Sequence, residues 1–203
     1  MRISVIMPVY LGGYEVDGIK SASDPEYKFR RAVLSFQMQS FKDTELIIVS
    51  DGSELAEKIY NEYFITDPQI KFISISKQSL FSGVVRQTGI EKSKGEIICY
   101  LDHDDVIGTD HLKMINEGFT GHWVHYNDFL IRNKELTECT ERQVRPELFY
   151  IGTSSIAHLR SLNVVWGDGY AHDWRMIEKY LLPYPTKKIH SQYYVCHFHP
   201  NDF

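Results

Sequence analysis

The sequence predicts an α/β fold, a mostly parallel sheet flanked by helices. Three observations predict it. Short apolar runs recur at 3–7, 45–49 and 96–101, rich in β-branched residues, each of the length of a strand buried on both faces. Segments with apolar residues at helical spacing lie between them. Each run then ends in polar residues: Pro8-Val9-Tyr10, Ser50-Asp51-Gly52 and Asp102-His103-Asp104. Three polar segments therefore meet at the carboxyl edge of one sheet, where open sheets of this kind bind ligands.

The elements follow in order. ISVIM at 3–7 is the first strand, stopped by Pro8. Residues 11–26 form a long polar loop with Gly12, Gly13, Gly18 and Pro25, suited to a lid or a surface insertion. Phe29, Val33 and Phe36 set a helix over 27–39. ELIIV at 45–49 is a strand, and Leu55, Ile59 and Tyr63 mark one face of a helix over 54–64. Residues 70–75 alternate as a third strand, and Ser82 is placed to cap a helix ending near Lys94-Gly95. EIICYL at 96–101 is the fourth strand, and 110–117 a short helix with Asp110 at its cap. That alternation implies right-handed crossovers. The second half is irregular: a strand over 122–130, a charged loop over 131–149, a helix over 172–182, and two short strands or a hairpin over 187–198.

A chain of 203 residues can bury one core without staples. Its net charge of −5 argues against nucleic acid as partner. Cys99, Cys139 and Cys196 are odd in number and far apart, which predicts reduced thiols and a cytoplasmic protein. No apolar run reaches the length of a signal or transmembrane segment.

Asp102, Asp104 and Asp105 carry the strongest chemical signal. In an extended strand end, Asp102 and Asp104 point to one side. Carboxylates so close repel unless a cation joins them, and a hard divalent ion that also grips diphosphate oxygens fits. A solvated acidic turn is the plainer reading.

In these motifs the chain resembles a family 2 glycosyltransferase of the GT-A fold. SVIMPVY, SFQMQSFKDTELIIVSDGS and GVVRQTGIEKSKGEIICYLDHDD occur in the family's order, followed by His172-Asp173-Trp174 and His197-Phe198-His199-Pro200. The likeness runs from Ile3 to about Asn201 and implies a single domain over 1–203. Residues 1–105 would bind a nucleotide sugar, most simply uridine-linked, and 106–203 an acceptor. The resemblance implies that Pro8 and Tyr10 line the base and that Asp51 accepts a hydrogen bond from it. It sets Arg86 and Gln87 near the nucleotide, and Asp102, with His103 beside it, towards the ribose and the metal shell. Asp104, and His199 behind it, would hold Mn²⁺ or Mg²⁺, with Asp173 as general base of an inverting transfer. The acceptor would be a glycan, a lipid-linked glycan or a protein, the lipid case implying a peripheral membrane encounter, and surface-glycan synthesis is the family's common setting.

Three departures stand out. Ser50 replaces the first acid of the usual Asp-Asp pair, His172 the acid commonly preceding the catalytic aspartate, and Gln87 the usual asparagine. Ser50 and His172 leave open a catalytically silent scaffold that binds a partner, against which the intact Asp102/Asp104 pair argues. A nucleotidyltransferase ranks lower, because PVYLGGYEVDGIK carries no basic residue before Lys20.

Overall fold

A computed structural model of the chain describes residues 1–13, 15–16, 19–20, 24–78, 81–131 and 137–196. Strand β1 (Ile3–Val9) is buried along its whole length. A two-residue ladder, β2 (Glu15–Val16) with β3 (Ile19–Lys20), lies inside the expected loop. Helix α1 (Pro25–Gln37) opens on a proline, whose missing N–H is no loss there. The alternation continues through β4 (Thr44–Asp51), α2 (Glu54–Tyr63), β5 (Ile70–Ile75), α3 (Gly83–Lys92) and β6 (Ile97–Tyr100). The second half adds β7 (Val106–Ile107), α4 (His111–Gly118), β8 (Trp123–Tyr126), β9 (Asp128–Ile131), β10 (Cys139–Arg142) and β11 (Ile156–Leu159). Helix α5 (His172–Met176) runs into a π-helical turn, Ile177–Leu181, before β12 (Thr186–Ile189) and β13 (Tyr193–Val195).

The main sheet has seven strands in the order β12-β8-β11-β6-β1-β4-β5, with β11 antiparallel to both neighbours. Side chains alternate between its faces. Val5, Met7, Leu46 and Ile48 pack with Phe29 and Val33 of α1, while Ile6, Ile47 and Val49 pack with Val85 of α3. Each such fully buried side chain contributes roughly 1.5–3 kcal/mol. Gly89 lets α3 lie close on this second face: a Cβ there would stand 2.5 Å from Ile6 Cγ2. Arg86, almost a turn earlier, is thereby set at the carboxyl edge of the sheet.

The second half departs from expectation in two places and, over 187–198, takes the first of the two alternatives, two short strands. The single strand expected over 122–130 breaks at Asn127, whose carbonyl accepts from Ser191 Oγ at 2.5 Å and whose Oδ1 accepts from the Val144 N–H at 3.0 Å. The chain thus leaves the main sheet and enters a four-stranded one ordered β10-β9-β13-β7. The last two strands are no hairpin: β12 joins β8 and β13 joins β9, in different sheets. Strand β10 occupies part of the expected charged loop. All four of its residues are exposed, so pairing with β9 rather than apolar patterning makes it a strand.

Candidate active site

A cleft of about 500 Å³ opens at the carboxyl edge of the parallel strands. Pro8, Tyr10 and Asp51, at the ends of β1 and β4, line it together with Asp102, His103 and Asp104 after β6, Arg86 of α3 and Asp173 of α5. The structure therefore brings together the sequence-identified site residues except Gln87 and His199, the latter lying outside the described residues together with His197. Gln87 turns elsewhere, its Oε1 accepting from the Trp166 N–H at 3.0 Å and its Nε2 donating to Glu91 at 3.1 Å.

Asp51 ends β4 and is 6% exposed. Its Oδ2 accepts from Lys77 Nζ and its Oδ1 from the Gln78 N–H, both at 2.6 Å. Lys77 also stands 4.5 Å above the Tyr10 ring. Gly52 follows with φ +70, a left-handed conformation that suits glycine, and Ser50 closes the turn by accepting from the Ser53 N–H at 3.1 Å. The serine that replaces an acid at position 50 is fully buried and holds this turn.

The acidic segment differs from expectation in its backbone. Strand β6 stops at Tyr100, and 102–105 form a turn closed by the Asp105 N–H on the Asp102 carbonyl at 3.1 Å. The extended-strand argument for convergence therefore fails, and Asp102 and Asp104 both reach the cleft from a turn instead. The turn also divides the three acids. Asp102 accepts from Arg86 Nη2 at 2.6 Å. Asp105 is buried, accepting from Tyr193 Oη at 3.0 Å and the Cys196 N–H at 2.8 Å. Burial, then the charges of Asp104 and Asp102, push its carboxyl well above the usual range. Asp104 stays half-buried on the cleft, its carbonyl accepting from Arg31 at 2.8 Å.

Arg86 organises the centre. Besides Asp102 it donates from Nη1 to Ser82 Oγ, and the same nitrogen stands 3.2 Å from His172 Nε2. Ser82 precedes α3 as expected, yet its hydroxyl serves Arg86 instead of capping the helix. Asp110 likewise precedes α4, but its carboxylate accepts from Ser40 at 2.6 Å. His172 Nδ1 lies 3.1 Å from the Gly169 carbonyl, so Nδ1 carries the proton and Nε2 accepts from Arg86. Burial, then the Arg86 charge, lowers its pKa, and the ring is neutral. Asp173 Oδ1 accepts from the Trp174 N–H at 2.8 Å, and its other oxygen faces Gly152 across the cleft.

Lys77, Phe81, Arg142 and Ser154 line the cleft without having been identified from sequence. Lys77 had a usable signal, since it follows the end of β5, a fourth parallel strand. Arg142 and Ser154 had none, because they arrive through pairings in the irregular half.

The donor set suits a hard divalent ion. Among the described residues no three His, Cys, Asp or Glu side chains cluster as a metal site. Asp102 and Asp104 offer carboxylate oxygens to the cleft, which fits an ion bound largely by diphosphate and water.

A mostly parallel sheet with an acid-bearing turn after its central strand is the GT-A architecture of nucleotide-sugar glycosyltransferases. The chain belongs to glycosyl transferase family 2, whose model matches residues 4–166. It is 33% identical over 125 residues to an uncharacterized glycosyltransferase of Haemophilus influenzae, covering 60% of this chain and 44% of that one. It is 31% identical over 108 residues to the Staphylococcus aureus poly(ribitol-phosphate) beta-N-acetylglucosaminyltransferase TarP, covering 52% and 29%. The chain thus spans less than half the length of these relatives. The crystal structure of S. aureus TarS 1-349 in complex with UDP-GlcNAc superposes with a TM-score of 0.71 at 18% identity, covering 96% of this chain and 58% of that one. The mannosyltransferase PcManGT from Pyrobaculum calidifontis, in complex with GDP-Man and Mn²⁺, superposes at 0.66 and 14%, covering 94% and 56%. At such identities the superpositions establish the fold. No described helix is long and apolar enough to cross a membrane.

Proposed function

We propose that the chain is a metal-dependent, inverting glycosyltransferase that takes its sugar from a UDP-linked donor. The observation carrying this reading is the convergence of Asp51, the Asp102/Asp104 turn and Asp173 on one cleft, with Asp51 and Asp102 at the ends of strands two apart in the sheet order β6-β1-β4. That set supplies one group for a base, a pair for a diphosphate with its metal, and one for the proton of an attacking hydroxyl. Residues 1–105 would supply the donor half and 106–203 the acceptor half.

Each group has a task its position suits. Pro8 and Tyr10 flank the base, and Asp51 accepts from it while sharing its oxygens with Lys77 and Gln78. Asp102, held by Arg86, faces the ribose with His103 beside it. Asp104, with His199 as a further ligand, would hold Mn²⁺ or Mg²⁺. When bound, that ion supplies Lewis-acid neutralisation of the charge growing on the leaving diphosphate. Asp173 takes the proton from an acceptor hydroxyl as the oxygen attacks the anomeric carbon from the face opposite the diphosphate. One displacement then inverts the centre without a covalent enzyme intermediate. A cytoplasmic setting accords with the thiols, all three of which are free, and surface-glycan synthesis with the family's common role.

The test is a screen of UDP-glucose, UDP-galactose and UDP-N-acetylglucosamine for Mn²⁺-dependent release of UDP. Release with at least one donor, abolished by chelation, is expected. UDP binding without release from any donor would favour the silent scaffold.

A further inference from the structure

The acidic turn and the segment after it are bonded along their length to helix α1. Arg31 and Ser35 within the helix and Gln39 just past its end recur every four residues, which sets them on one face. Arg31 Nη2 donates to the Asp104 carbonyl at 2.8 Å. Ser35 Oγ accepts from the Ile107 N–H at 3.2 Å. Gln39, 1% exposed, donates from Nε2 to the Gly108 carbonyl at 2.8 Å and accepts on Oε1 from the Leu112 N–H at 3.0 Å. The three side chains thus meet residues 104, 107, 108 and 112 in the order in which they leave the helix. Every one of these bonds goes to a main-chain group. They fix the path of the backbone and leave the Asp104 carboxylate to the cleft. Arg31 stands at the end of this ladder nearest the cleft, its guanidinium 5.6 Å from the centre of the Tyr27 ring. Among the described residues its Nε is buried without a partner, an unfavourable state that the bond to Asp104 offsets.

We propose that Arg31 is a positioning residue that presents Asp104 to a cation on the donor diphosphate, which rests on the reading of Asp104 as metal ligand. A hard divalent ion held largely by diphosphate and water depends on where its few protein oxygens stand. An aspartate in a turn has two kinds of freedom, its own χ angles and the φ/ψ of the turn. Arg31 removes the second by holding the carbonyl of the same residue, and Ser35 and Gln39 hold the chain beyond it. Groups that orient a metal ligand in this way change metal affinity by about 10–100-fold when removed. The effect belongs to the metal and not to the base, because Asp51 is held by Lys77 and Gln78 at another strand end. The guanidinium also brings a positive charge to a turn with three carboxylates and offsets their repulsion.

The experiment reads binding apart from turnover. Calorimetry on the full chain gives UDP affinity in chelator and then across a series of Mn²⁺ concentrations. Arg31→Met should leave the affinity in chelator unchanged and raise the Mn²⁺ midpoint of the gain by about 10–100-fold. Arg31→Lys should recover part of that, since one N–H donor suffices for a carbonyl. Gln37→Ala is the control for a merely structural role of the helix. Gln37 Nε2 donates to Asp67 Oδ2 at 2.7 Å, away from the ladder, so its loss should lower urea stability and leave the Mn²⁺ midpoint in place. A wild-type midpoint in Arg31→Met, or an equal rise in Gln37→Ala, overturns the proposal. Amide hydrogen exchange separates that failure from a failure of the ligand reading. The Asp105 N–H closes the turn on the Asp102 carbonyl at 3.1 Å, and it should exchange about tenfold faster in Arg31→Met. Unchanged exchange means that Arg31 does not hold the turn. Faster exchange with a full Mn²⁺ response in Asp104→Ala means that Arg31 holds the turn but Asp104 is not the ligand, which removes the role towards the metal.

Discussion

Arg86 and Asp102 meet at 2.6 Å at the centre of the cleft, the arginine side chain 6% exposed and the aspartate 33%. The same guanidinium serves Ser82 and His172, so one buried fork ties α3, the acidic turn and α5 together. Arg86→Met leaves a carboxylate, a hydroxyl and an imidazole nitrogen without their donor. Breaking a buried pair costs about 3–5 kcal/mol, and the exposure of Asp102 reduces that to about 2–3 kcal/mol. Urea denaturation should show this loss. Arg86→Lys should recover only part of it, because an ammonium lacks the fork geometry. A midpoint for Arg86→Met equal to wild type would remove the arginine from this structural role.

Asp51 is expected to contribute to nucleotide affinity despite its engagement by Lys77. Asp51→Ala should weaken UDP by about 1.5–3 kcal/mol, as for a hydrogen bond to a charged group. Calorimetry with UDP measures it. Unchanged affinity would assign Asp51 to the turn and the Lys77 pair alone.

Asp104→Ala should abolish the gain in UDP affinity that Mn²⁺ brings. Asp104 is half-buried on the cleft, and its removal relieves repulsion from Asp102 and Asp105, so the fold should persist. The comparison is UDP titration with Mn²⁺ and with chelator, for wild type and variant. Equal metal enhancement in both proteins would exclude Asp104 as ligand.

Glu45 predicts an acid-dependent loss of stability. Burial alone would raise its pKa, but Lys71 Nζ at 2.7 Å, Ser4 Oγ at 2.7 Å and the Lys94 N–H more than offset that, giving about 2. A carboxyl depressed in the folded state stabilises above its unfolded value, here about 4.5, and loses that stabilisation as pH falls towards 2. Glu45→Gln should be less stable than wild type by about 2–3 kcal/mol at pH 7. The gap should narrow steadily between pH 4.5 and 2 in urea titrations. A gap independent of pH would mean that the amide fails for steric reasons.

The legible part of the fold is the part where burial dictates sequence. Strands β1, β4 and β6 are buried on both faces, so they read as apolar runs, and polar residues after them marked the cleft. Strands β10 and β13 are short, and β10 is exposed. Their existence depends on partners distant in the chain, and periodicity does not record partners. The break at Asn127 is of the same kind, since it rests on bonds to Ser191 and Val144. Within the site, Asp102 and Asp104 were readable as a cluster, but the burial of Asp105 against Tyr193 was not. Lys77 was within reach, because strand ends marked the site and β5 is a strand of the same sheet.

The base assignment is decided by comparing Asp173 with its neighbour. An unperturbed imidazole has a pKa of about 6.5 and makes a good general base, so His172 is the natural competitor. Its geometry argues against it. The Nδ1 proton goes to Gly169 and the Nε2 lone pair faces Arg86, while burial and the arginine charge lower its proton affinity. No lone pair is free for an incoming hydroxyl. Asp173 has one oxygen on the Trp174 N–H and the other towards Gly152 on the cleft wall. Asp173→Asn preserves size but cannot take a proton, so UDP and Mn²⁺ binding should persist while transfer falls by about 10²–10⁴-fold or more. Donor hydrolysis should fall with it, since water needs the same base. His172→Gln should keep most turnover, with at most a modest loss through Arg86. Wild-type turnover in Asp173→Asn together with a large loss in His172→Gln would transfer the role to the imidazole.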